Sequence, residues 1–271
     1  MDEFTRDIED AQVAHWSCFG RWPRGALIEE AGTLRFETPI PNLPYNGVIR
    51  THLADEDADQ VIASVVDSFA RRGVAFAWWD QPSSTPADIG RRLEAHGLAA
   101  VMQVVGMSLE LDGWSAEPLS SGVRYEQVLD DDALLVYEDL LFGNWELPEE
   151  SEESRALIAE GNRFLGPGRV PMHRWIAYTD EEPAGKGLLC LAGPPGVAAV
   201  YGMWVRPQAR GRGIGFGITT ALIRQAQELG CHRVVLHASD LGNPVYRRAG
   251  FVERCSFTVH ATARVWSSTD H

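Results

Sequence analysis

The stretch "YGMWVRPQARGRGIGFGITTALIRQAQELG", residues 201–230, sets the reading of the whole chain. It opens on a strand-like apolar run and passes into a loop where Gly211, Gly213, Gly215 and Gly217 recur at every second position, beside Arg210 and Arg212. From Ile214 onward, Ile218, Leu222, Ala226 and Leu229 fall on one helical face, and Gly230 stops the helix. A strand, a glycine loop and a helix N-terminus in that order aim backbone N–H groups and the positive end of the helix dipole at one anion. Neither common phosphate signature accounts for the pattern. The lysine of GxxxxGK[ST] is missing, and the third glycine of GxGxxG falls out of register, at Phe216 or Ile218. The alternative is a glycine-rich turn that packs helix on strand.

Outward from this loop the same grammar continues. "AAVYGMWV" (198–205) and "RVVLHA" (233–238) read as strands, "SDLGNP" as a turn, "VYRRA" as a short helix ended by Gly250, and "FVERCSFTVH" as a further strand. Upstream, "RWIAYTDEEPAGKGLLCLAG" predicts a hairpin turning over Asp180–Gly185, preceded by acidic helical segments near 130–142 and 151–164. The first half repeats this order. "GVIRTHL" (47–53) is strand-like, 57–73 is an amphipathic helix ending at Gly73, and "VAFAWW" (74–79) is a strand. A turn, the helix "IGRRLEAHG" and the strand "LAAVMQVVGMSLEL" complete it. "RRLEAHGL" and "YRRAGFV" stand at matching places. The expectation is an α/β (α+β) protein of two tandem units, each a mixed central sheet flanked by helices. They span residues 1–115 and 116–271, joined through "DGWSAEPLSSG" (112–122). The first unit has no glycine loop: "THLADEDAD" stands there, acidic throughout.

Composition narrows the function classes. Across 271 residues, 45% hydrophobic and 23% charged content is that of a globular protein, and no apolar run approaches membrane-spanning length. "MDEFTRDIED" is acidic where an export signal would be basic and then apolar, so a cytoplasmic location is expected. Cys18, Cys190, Cys231 and Cys255 are scattered with no metal-ligand spacing, which suggests reduced thiols and no metal. A net charge of -14 argues against nucleic acid. That charge is segregated. Residues 117–182 hold sixteen acidic and five basic side chains, and 183–271 hold four acidic and ten basic. The second segment would suit an anionic cofactor and the first a cationic substrate; two solvated faces are the alternative.

Arg210-Gly211-Arg212-Gly213-Ile214-Gly215 resembles the [QR]xxGx[GA] pyrophosphate loop of the GCN5-related N-acetyltransferases, preceded as usual by a strand and "VRP". "LHASDLGNPVYRRAGF" (236–251) is similar to that superfamily's second cofactor-contacting region, and the first half resembles a degenerate copy of the same unit. The resemblance implies that Met203, Trp204 and Val205 form the strand whose backbone pairs with the pantetheine arm of acetyl-CoA. It also implies that residues 210–215 and Phe216 hold the pyrophosphate, and that Ser239 and Asn243 bond the cofactor's amides. Tyr246 would protonate the departing thiolate. Read without the family, Tyr246 is a packing residue and Asn243 a turn former.

The same resemblance implies acetyl transfer from acetyl-CoA to a primary amine of a small molecule, by a monomer or homodimer. A non-catalytic acyl-CoA-binding or ligand-sensing protein is the alternative. The superfamily often places its base as a carboxylate near the strand before the loop, and "AAVYGMWV" has none. Glu138, Glu146, His173 and His237 are candidates by chemistry alone, with solvated glutamates and a packed His237 as their ordinary readings, so no base is assigned. The family's acceptor site is lined by helices before the central strands. Here these carry Glu138, Asp139, Glu146, Glu149, Glu150, Glu152 and Glu153, with Trp145 and Trp175 as aromatic faces. A cationic acceptor is the expectation.

Overall fold

In the computed structural model, which describes residues 1–118, 121–142 and 152–262, one mixed sheet of eleven strands runs through both halves. The first half comprises α1 (Glu3–Gly20), β1 (Ala26–Glu30), β2 (Thr33–Glu37), β3 (Gly47–Thr51), α2 (Ala58–Arg72), β4 (Ala77–Asp80), α3 (Ile89–Ala95) and β5 (Leu98–Glu110). The second opens with β6 (Val123–Gln127), α4 (Asp131–Phe142) and α5 (Glu152–Phe164). It continues with β7 (Met172–Thr179), β8 (Glu182–Cys190), β9 (Val197–Val205), α6 (Ile214–Glu228), β10 (Arg233–Ala238), α7 (Asn243–Arg248) and β11 (Val252–Thr262). The order β1-β2-β3-α2-β4-α3-β5 thus recurs as β7-β8-β9-α6-β10-α7-β11. The strand pairing recurs too: β3 runs parallel to β4, and β9 parallel to β10.

Local chemistry explains the element ends. Asp2 caps α1 by accepting from the Thr5 amide at 2.8 Å, and Ile8, Ala11, His15 and Cys18 bury one stripe of that helix. Gly73 takes the left-handed conformation that ends α2. The β7–β8 turn is tighter than the sequence suggested. Asp180 and Glu181 both have positive φ, which reverses the chain in two residues, and Pro183 and Gly185 already pair with Tyr178 and Ala177. A register shift between Ala177 and Tyr178 accommodates the proline within the ladder.

The strand order β1-β2-β3-β4-β11-β5-β10-β9-β8-β7-β6 has one consequence for the site. The last strand of each half lies in the other half's side of the sheet: β11 runs between β4 and β5, and β5 between β11 and β10. Helix α1 packs over this seam, and Ile8, Ala11 and Cys18 share a core with Val104, Val235 and Phe257. Beside the seam, β9 and β10 pair only from Arg233↔Val197 to Leu236↔Val200, and then diverge. Where they part, an extra residue in β9 between Tyr201 and Trp204 makes a bulge, with Gly202 at φ +58°.

Candidate active site

The opened strand is where residues 203–205 lie. Past Val200 the β10 side of β9 has no ladder partner, while the other side remains paired, Trp204 to Lys186 and Val205 to Gly185. An extended ligand could therefore add along the free edge. The side chains of these residues point elsewhere: Trp204 packs with the Tyr137 and Ile176 cluster, and Met203 and Val205 pack against the core under α6. Their contribution to a ligand is backbone.

The glycine loop follows directly. A 3-10 turn, Pro207–Ala209, leads to Arg210, whose Nε donates to the Val205 carbonyl at 3.2 Å. Gly211 and Gly213 have φ of +75° and +76°, the region glycine adopts without strain, and no side chain caps the amides of α6. A Cβ at Gly215 would meet only Val205 Cγ2 at 3.7 Å, so this glycine answers no packing need of the protein itself. Gly217 is the opposite case: a Cβ there would lie 1.8 Å from Tyr125 Oη. Arg212 stands 4.0 Å from Asp180 in an exposed pair. Phe216 is buried in the core, with Arg248 over its ring at 4.1 Å, which leaves its amide rather than its side chain for an anion. Ile214 is likewise core.

The remaining cofactor candidates flank the cleft from β10 and α7. Ser239 is exposed and its Oγ accepts from the Gly242 amide at 3.3 Å. Asn243 Nδ2 donates to Glu253 Oε1 at 2.7 Å, as does Arg247, so that amide group is already engaged. Tyr246 is buried, its ring edge-on to Phe251, and burial pushes its phenol well above the ordinary range. It lines the cleft together with Ser239 and Met203, so it is at once a packing residue and a wall of the site.

The cleft deepens into a cavity of ≈ 350 Å³ between the two halves. Helix α1 supplies His15, Trp16 and Phe19; β4 and β5 supply Trp79, Met102 and Val104; α4, β7 and β8 supply Tyr137, Arg174 and Lys186. Lys186 was not anticipated. It is the one lysine among 24 basic residues, and its side chain is fully buried. Its Nζ lies 4.7 Å from the centroid of the Tyr137 ring, which Arg174 also approaches, at 5.9 Å. Burial first, then Arg174, pulls the Lys186 ammonium down to about 7, against the opposing pull of Glu138. Above these groups His15 stacks on Tyr201 at 4.2 Å, and Tyr201 on His237 at 6.1 Å. Burial takes both imidazoles down to about 3.

Among the described residues, ten buried side-chain polar atoms lack a partner, and six of them line this cavity: His15 Nδ1, Arg174 Nη1, Lys186 Nζ, Tyr201 Oη and both ring nitrogens of His237. Such atoms are costly to leave dry, and here they belong to residues that line one cavity. A larger groove of ≈ 690 Å³ lies over α2 beside the β1–β2 turn, but no atom of this kind lines it. Among the described residues no group of three metal-ligating side chains gathers, the four cysteines are free, and no helix is long and apolar enough to cross a membrane.

Several expectations about the acceptor side need correction. Glu138 is buried rather than solvated; burial pushes its carboxyl up to about 7, opposed first by Arg174. Trp175 offers no face to the cleft: it packs under α6 and its Nε1 donates to Gln225 at 2.6 Å. His173 bonds Gln127 and Gln225, away from the cavity. Trp145, Glu146, Glu149 and Glu150 lie outside the described residues, and Asp139, Glu152 and Glu153 are exposed. Among the described residues, the permanently or ordinarily charged side chains that line the cavity are Arg174 and Lys186, opposite in sign to what the charge pattern suggested.

A sheet opened at a bulge, an uncapped helix behind a glycine loop and a tyrosine across the cleft thus meet at one place. Residues 136–251 match the model of the acetyltransferase (GNAT) family. A GCN5-related N-acetyltransferase from Kribbella flavida has the same fold, with a TM-score of 0.69 at 15% identity over 93% of this chain and 95% of that one. A tandem GNAT protein of the clavulanic acid biosynthesis pathway reaches 0.62 at 13% identity, over 96% and 94%. Residues 136–251 thus match the acetyltransferase (GNAT) family, and the chain as a whole shares the fold of these GCN5-related N-acetyltransferase structures. Among curated proteins it is 40% identical over 215 residues to a mycothiol acetyltransferase of Pseudarthrobacter chlorophenolicus, covering 72% of this chain and 62% of the relative. It is 28% identical over 181 residues to one of Saccharomonospora viridis, covering 59% and 56%. These matches span less than two thirds of the relatives' own length.

Proposed function

We propose that this chain is an acetyl-CoA-dependent N-acetyltransferase whose acceptor, a primary amine of a small molecule, occupies the cavity between the halves. The observation that carries the reading is the joining of two spaces: a cavity lined by residues with six unpartnered buried polar atoms meets the free edge of β9 at its bulge. Acetyl-CoA would lay its pantetheine along Met203–Val205. Its pyrophosphate would sit on the amides of Gly211–Phe216 between Arg210 and Arg212. There a helix N-terminus and two cations favour an anion. Transfer requires a neutral amine to attack the thioester carbon and the thiolate to leave protonated. Tyr246, on the wall shared by cleft and cavity, is the donor we assign.

The first half, residues 1–115, takes a structural part in this reading: it supplies α1, β4 and β5 to the cavity. Its own loop carries Asp55, Glu56, Asp57 and Asp59 where a pyrophosphate would lie, and like charges repel. The name of the curated relatives supports acetyl transfer involving a small molecule. The orphan donors of Arg174, Lys186 and Tyr201 favour an amine rich in hydroxyl or carbonyl oxygens over a polycation.

Thiol release from acetyl-CoA across a panel of amino sugars, amino acids and polyamines tests the reading. Acceleration by at least one amine, strongest among the oxygen-rich compounds, is the expected result. Tight acetyl-CoA binding with no acceleration by any amine would leave the non-catalytic alternative.

A further inference from the structure

We propose that Lys186 is the general base, taking a proton from the acceptor's ammonium group before it attacks the thioester. The inference rests on the acceptor reading above and adds to it the group that the sequence left unassigned. Geometry carries it. The side chain stands on β8 opposite Trp204, one ladder position from the β9 bulge, and its Nζ is buried in the cavity with no hydrogen-bond partner. Among the described residues no carboxylate forms an ion pair with it, while the always-charged Arg174 shares the Tyr137 ring with it. A buried ammonium without a counter-ion is strongly disfavoured, so the free amine is the resting form. A free amine on a residue that lines the proposed acceptor cavity can act as a base.

The other titratable groups around the cavity do not compete. His15 on α1 and His237 on β10 are held neutral to about 3, too low to draw a proton from an ammonium. Tyr137 on α4 is pushed up to about 12, and Tyr201 on β9 and Tyr246 on α7 are also raised by burial, so they stay protonated. Arg174 on β7 has no usable lone pair. Glu138, next to Tyr137 on α4, acts on Lys186 only through its charge and is not among the residues that line the cavity. Lys186, drawn down to about 7, is matched to neutral pH.

The protons balance. Neutral Lys186 accepts one proton from R–NH₃⁺ and later yields it to solvent. The resulting amine attacks the acetyl carbonyl, forming the C–N bond. The tetrahedral intermediate then collapses with cleavage of the C–S bond. The sulfur takes a proton from Tyr246, which is restored by the second proton shed from nitrogen.

Because Lys186 is the chain's single lysine, protein labelled with [ε-¹³C]lysine gives one side-chain signal. Its titration in the free protein should show a midpoint near 7. For the most active amine of the panel, kcat/KM should rise with pH through that same midpoint. Both Lys186→Arg and Lys186→Met should lose roughly 10²-fold or more in kcat, lose that limb, and keep the KM for acetyl-CoA. A midpoint above about 9, or Lys186→Arg retaining kcat within a few-fold, overturns the proposal: the residue would then be a fixed charge. If no amine is acetylated by the unaltered protein, the acetyltransferase reading fails, and the lysine titration still decides the basicity of Lys186.

Discussion

Tyr246 was legible in the sequence only through its neighbours, since a tyrosine in "VYRRAGF" is ordinarily core. The fold gives it both roles, buried against Phe251 and facing the cleft. Replacing it with Phe keeps the packing and removes the proton. We expect kcat to fall roughly 10²-fold or more with acetyl-CoA affinity little changed, checked by steady-state kinetics beside calorimetry. Lys186 shows the opposite failure. A residue used once in 271 is conspicuous, yet in "EPAGKGLLC" it reads as a hairpin's solvent-facing cation. It becomes interior because β8 is held between β7 and β9 with α4 packed against it. Its folded pKa lies below its unfolded one, so its contribution to stability is fully present above about pH 10.5 and is lost as pH falls through about 7. Lys186→Met should therefore raise the Tm at pH 6 and lose that advantage as the pH approaches 10, as thermal melts would show. An equal Tm difference at both pH values would mean that the lysine is not desolvated.

Elements were easier to read than their partners. The helices of residues 58–72 and 214–228 and the strands around them follow from apolar period and from Gly73, Gly97, Gly230 and Gly250. No element is expected above for the first 46 residues, yet α1 and the β1–β2 hairpin form there; α1 buries Glu9, Gln12 and His15 as well as its apolar stripe, which blurs the pattern. Within α6 the glycines divide by function. Gly215→Val adds atoms where only Val205 Cγ2 is near, so stability should change by less than about 1 kcal/mol while acetyl-CoA binding is lost. Gly217→Ala must displace Tyr125 and should cost about 1–3 kcal/mol while one acetyl-CoA still binds per chain. Chemical denaturation and calorimetry on the two variants separate these effects. The reverse pattern would show that Gly215 serves packing.

At the scale of the molecule the repeat was visible and the exchange was not. Each half reads as a complete unit because its strands succeed one another in the expected order. Nothing local records that β5 pairs with β10 while β11 pairs with both β4 and β5. Pairing across halves satisfies the open backbone edges of the two last strands, a property of the assembled sheet. We therefore propose that residues 1–115 and 116–271 form units of sequence that depend on each other for folding. Expressed separately, either should be insoluble or partly unfolded; co-expressed, they should elute as one 1:1 complex that binds acetyl-CoA. A second half that folds and binds alone would show the exchange to be dispensable. Acetyl-CoA, in the function we propose, binds between the free edge of β9 and the uncapped start of α6. Calorimetric titration with acetyl-CoA, on the unaltered chain and on Gly215→Val, tests that directly. One site per chain, abolished by the substitution in a protein that still melts cooperatively, is the predicted result; two sites, none, or full binding by the variant would contradict it.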